Sequence, residues 1–78
     1  MKYQLINTNN AKFENVIGVE FKAFSIMTGQ KARFCACPGQ VLGRNYFFFN
    51  TSPVKSVSIK GHKLLLETKN SFYEFLVS

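Results

Sequence analysis

Between residues 19 and 37 the chain alternates apolar and polar residues at every second position and breaks once, at Thr28-Gly29. Val19, Phe21 and Ala23 fall on one face of the first run, and Glu20, Lys22 and Phe24 on the other. In the second run Ala32, Phe34 and Ala36 alternate with Lys31, Arg33, Cys35 and Cys37. A period of two on both sides of a Gly-bearing break is the signature of an antiparallel hairpin with one face buried and one solvated. The composition agrees. It is 46% hydrophobic with nine Phe and no Trp, and its aromatic and β-branched residues favour pleated strands.

The remaining segments extend this pattern. Residues 2–7 read as a first strand, followed by a turn over residues 8–11. Residues 12–18 read as a strand bent near Gly18. Phe13, Val16 and Ile17 also have helical spacing, with Asn10 as a cap, but such a helix would be barely two turns and marginal without packing. Pro38-Gly39 ends one strand and residues 40–50 hold another. Thr51-Ser52-Pro53 offers a cap and a first-turn proline, so one helical turn is expected over residues 52–55. Residues 56–59, 63–68 and 71–77 then form a meander. Gly61 and Asn70 stand at its turns because both tolerate positive φ. The expected fold is all-β: a single domain over residues 1–78, built as a five- or six-stranded antiparallel barrel or strongly bent sheet with one short helical turn. Closure would protect the strand edges of so Phe-rich a sheet; a homodimer would bury them equally well.

Val57, Ile59 and Gly61, followed by Thr68, Asn70, Ser71 and Tyr73, make a V-x-I-x-G run and then T-x-N-[ST]-x-Y. This last third of the chain resembles the ends of many short phage and bacterial proteins. The resemblance implies a small β fold and carries over no catalytic or binding residue.

Ten Lys and Arg against four acidic residues give a formal charge of +6. Such a balance suits an ordinary soluble surface, or an anionic partner such as nucleic acid or an acidic protein. No apolar run approaches the roughly 20 residues of a membrane-spanning helix, and the first ten residues lack the apolar core of a signal peptide. No membrane partner and a cytoplasmic location are therefore expected.

Chemistry-bearing clusters are sparse. Cys35 and Cys37 share a strand face, but a structural zinc site needs four ligands and His62 is the one further good candidate, so no metal and no cofactor is expected. Cys35 or Cys37 with His62 and Glu67 lacks anything in the sequence to assemble it as a nucleophilic site, so the chain is not expected to be an enzyme. Pro38 to Arg44 has glycines at 39 and 43 but no Lys-Ser/Thr and no following helix, hence no phosphate loop.

Two surfaces remain. Lys22, Phe24, Lys31 and Arg33 lie on the polar face of the 19–37 hairpin, a basic face with one aromatic that suits single-stranded nucleic acid. In residues 44–49, Arg44, Tyr46 and Phe48 share a face. A strand apolar on both sides is usually buried on both; if that face instead stays open, it suits base stacking or a protein contact. The leading expectation is a non-catalytic nucleic-acid-binding module, RNA before DNA, acting through these seven residues. The alternative is a phage-type accessory protein that binds and inhibits or adapts an acidic host protein, such as a defence nuclease or toxin. A small enzyme comes third.

Overall fold

Each run of alternating residues becomes a strand, and each strand pairs antiparallel with the next. The computed structural model describes residues 1–36 and 48–78, without the side chain of Phe24. The strands are β1 (Tyr3–Thr8), β2 (Glu20–Ser25), β3 (Lys31–Ala36), β4 (Phe48–Lys60), β5 (Lys63–Thr68) and β6 (Phe72–Val77). β6 returns to pair with β1, with Leu5 opposite Phe75, and the six strands close into a barrel in sequence order. Closure gives every strand a neighbour on each side, which limits the exposed edge of the sheet.

The interior is largely aromatic. Phe21, Phe34, Phe49, Tyr73 and Phe75 are buried with Leu5, Val54, Leu64 and Leu66. Phe34 stacks on Phe75 at 4.7 Å between centroids, and Phe49 meets Tyr73 edge to face at 5.3 Å. Offset and edge-on pairs of this kind add about 0.5–1.5 kcal/mol each beyond their buried area.

Residues 12–18 do not form the expected bent strand. Ala11–Val16 is a 3₁₀ helix that covers one end of the barrel. Its three-residue repeat aligns Phe13 with Val16, and both are buried. The Phe13 ring stands edge-on to Phe49 at 4.2 Å. A strand would have sent residues 13 and 16 to opposite faces. Asn10 fixes the start: its Oδ1 accepts from the Lys12 N–H, and its Nδ2 donates to the Tyr73 hydroxyl, both at 3.1 Å. Gly18, at φ +96°, then turns the chain so that its N–H donates to the Leu5 carbonyl at 2.7 Å.

The helical turn expected over residues 52–55 is absent, because that stretch lies inside β4. Its capping chemistry serves a corner instead. The register of β3 and β4 shifts between Lys31 and Arg33. There the buried Thr51 hydroxyl accepts from the Ala32 N–H at 3.0 Å and donates to the Ser52 carbonyl at 2.7 Å. Pro53, which has no N–H to offer, sits opposite Lys31 at this irregularity, a place in a sheet where proline is tolerated. Beyond it, from Val54 onward, β4 pairs with β5. One long strand thus serves two neighbours by bending at a bulge.

The C-terminal hairpin turns where expected, at Lys69-Asn70-Ser71, but by another device. Among the described residues no residue other than Gly has positive φ, so Asn70 is not left-handed. Thr68 makes the turn: its N–H donates to the Ser71 carbonyl, and its Oγ1 accepts from the Ser71 N–H. Asn9 clamps the tip to β1 by accepting from the Phe72 N–H at 2.8 Å. Gly61, at φ +63° and followed by His62 without positive φ, makes the two-residue turn between β4 and β5, in the φ pattern of a type II′ turn.

Two substitutions check this account by urea unfolding. Thr51→Val leaves the Ala32 N–H buried without an acceptor and is expected to cost about 1–3 kcal/mol. Asn70→Val is expected to stay within about 0.5 kcal/mol of the parent. A large loss from Asn70→Val with none from Thr51→Val would contradict it.

Candidate functional site

The inward set of β2, β3 and β4 dictates what those strands show to solvent. Ala23 lies opposite Phe34, and Phe34 opposite Phe49, so the residues between them point outward. Lys22 then lies opposite Cys35, and Cys35 opposite Phe48, in one row across three strands. A second row joins Ser25, Arg33 and Asn50. Strands lie about 4.8 Å apart, so each row spans about 10 Å. Lys22, Lys31, Arg33, Phe48 and Asn50 are exposed, while Cys35 and Ser25 are half-buried. Four of the seven expected residues, Lys22, Lys31, Arg33 and Phe48, thus share one continuous outer face. Arg44 and Tyr46 lie outside the described residues, as does the side chain of Phe24. The register of β2 and β3 shifts between Ala23 and Ser25, so simple alternation does not carry past Ala23.

Phe48 and Phe49 divide the aromatic run. Phe49 is 0% exposed and Phe48 45%. Burial on both sides, the usual reading of such a strand, does not hold at Phe48, which is partly exposed. The Arg33 guanidinium carbon lies 4.8 Å from the centre of the Phe48 ring, a cation–π contact worth about 0.5–1 kcal/mol at an exposed site. In the register Lys22, Lys31 and Arg33 face Cys35, Pro53, Ser25 and Asn50, none of them acidic. Glu20, half-buried at the start of β2, is the acidic residue on this face, while Glu67 and Glu74 lie on β5 and β6.

Lys12, Asn15 and Asn50 also belong to this region, and sequence reading missed them. With Phe13 and Phe48 they line a hollow of about 340 Å³ between the 3₁₀ helix and the start of β4. Lys12 and Asn15 are three residues apart, which aligns them on one side of a 3₁₀ helix. That signal was present in the sequence but hidden by reading the segment as a strand. Asn50 could have been found from its place two residues after Phe48 on the same strand face.

The other candidates do not converge. Cys35 lies between Lys22 and Phe48, Glu67 between Ser56 and Phe72, and His62 is exposed in the turn after β4. Cys37 lies outside the described residues. Among the described residues no three His, Cys, Asp or Glu side chains are placed to hold a metal ion, and no helix is long and apolar enough to cross a membrane. Comparison with protein families, with curated proteins and with solved structures yields no match.

The contrast between adjacent phenylalanines is directly measurable. Phe49→Ala is expected to cost about 3–5 kcal/mol through the cavity it leaves. Phe48→Ala is expected to cost less than about 1 kcal/mol. Comparable losses in urea unfolding would show that Phe48 is a core residue and that this face is closed.

Proposed function

We propose that this protein is a non-catalytic binding module that engages single-stranded nucleic acid, RNA before DNA, on the outer face of β2, β3 and β4. The observation that carries the reading is an exposed Phe48 ring with Arg33 over it, flanked on the same face by Lys22 and Lys31. A protein that binds single strands needs an aromatic or guanidinium plane for a base and cations for the phosphates beside it. RNA comes first because its loops and ends present unstacked bases. A rigid barrel suits the task, since such a platform gains affinity by being ordered before the strand arrives.

A second reading has its own supporting observation. At the end of the barrel near the β4–β5 turn, Ile59 is 69% exposed beside a mostly apolar hollow that Tyr3, Leu64 and Val77 also line. Lys60 and Lys63 stand directly opposite each other at the same turn, and like charges so placed cost stability. An acidic protein partner with an apolar anchor would suit this end, as a host-directed accessory role requires.

Fluorescence anisotropy with a labelled single-stranded RNA over a salt series tests the first reading. Lys31→Glu with Arg33→Glu is expected to weaken binding and to flatten the slope of log K against log salt by about 0.7 per lost phosphate contact. Phe48→Ala is expected to cost about 1–3 kcal/mol with little change in slope, because stacking releases no counterion. If the parent binds no RNA or DNA tighter than ~10⁻⁴ M at physiological salt, the nucleic-acid reading fails and the protein-partner reading takes its place.

A further inference from the structure

We infer that the hollow between the 3₁₀ helix and β4 is a pocket for one unpaired nucleobase, adenine preferred, and that Asn15 and Asn50 read its edge. The inference rests on the nucleic-acid reading above and adds the element that face lacks. Lys22, Lys31 and Arg33 supply charge, and Phe48 supplies a plane, but neither distinguishes one base from another.

The hollow has the parts of a base site. Its volume of about 340 Å³ lies at the small end of the range of about 300–1,000 Å³ for ligand pockets, which suits a single nucleoside. Phe48 is one wall, and Phe13 contributes at the floor. Lys12 holds its ammonium 5.8 Å from the Phe13 ring centre, on the rim where a phosphate would pass. The two amides are the distinguishing feature. Asn9 and Asn10 are committed to the fold, to Phe72 and Asn70 in one case and to Lys12 and Tyr73 in the other. Asn15 and Asn50 are exposed, and neither side chain hydrogen-bonds another described residue. They therefore contribute little to folding, yet both stand at the same hollow. A primary amide places a donor beside an acceptor, and its bidentate pairing with the N6 and N7 atoms of adenine is the favoured asparagine contact to a base. A purine also covers more of the Phe48 ring than a pyrimidine does.

The test uses the full chain and labelled single-stranded RNA octamers of adenine or of uracil, at one fixed salt concentration. The parent is expected to bind the adenine octamer at least about fivefold more tightly, the lower bound for one good bidentate contact. Asn15→Ala and Asn50→Ala are each expected to shrink that preference toward unity while leaving the thermal midpoint unchanged. Equal binding of both octamers by the parent, or a preference that survives both substitutions, overturns the base pocket and leaves the nucleic-acid face standing. Binding of neither octamer overturns the pocket together with the reading on which it rests.

Discussion

Phe49 holds the barrel together and, through strand alternation, decides what the barrel shows to solvent. Its ring lies 4.2 Å from Phe13, 5.3 Å from Tyr73, 5.4 Å from Phe34 and 5.6 Å from Phe21 between centroids. It therefore links β2, β3, β6 and the 3₁₀ helix to the start of β4. With Phe49 fixed inward, residues 48 and 50 must face out, because successive side chains of a strand alternate. Phe34 imposes the same on Arg33 and Cys35. The core requires only that these outer positions exist; it does not require an aromatic ring at one and a guanidinium over it. Phe48 nonetheless leaves 45% of its surface exposed. The choice of Phe there is what calls for a function.

The same geometry separates stability from binding. A 78-residue chain has a thin core, and here six of the twelve buried apolar residues among those described are aromatic. The polar groups that turn inward or lie at corners, Thr8, Thr51 and Thr68, are buried and hydrogen-bonded. No buried side-chain polar atom among the described residues lacks a partner. The side chains of Asn15 and Asn50 and the lysines of β2 and β3 lie outside. Substitutions on that face can be made without removing core contacts, as the proposed binding role would require.

Sequence reading found the hairpins because a period of two is a local signal, visible within six residues. It placed Lys22, Lys31 and Arg33 on one outer face for the same reason. It misplaced the helical turn because cap chemistry is ambiguous: Thr51, Ser52 and Pro53 would start a helix or make a strand corner equally well. The barrel settled the matter by giving the Thr51 hydroxyl a partner in Ala32, nineteen positions away. Residues 11–16 went the other way, since Phe13 and Val16 gain more by covering the barrel end than the segment loses in intrinsic propensity. At Phe48 alternation stated which residues share a face, but not whether anything covers it. The hollow with Asn15 and Asn50 was illegible because its two sides come from segments that only the closed fold brings together.

The location of binding is the central claim, and amide chemical-shift mapping by NMR reads it residue by residue. On titration with a short single-stranded RNA, shifts are expected to concentrate at Lys22, Lys31, Arg33, Phe48 and Asn50 and at Lys12 to Asn15. The amides of Glu67, Phe72 and Glu74 on the far wall are expected to stay still. Shifts centred on β5 and β6 or on the Lys60–Lys63 turn, or no shifts at all, would contradict the account.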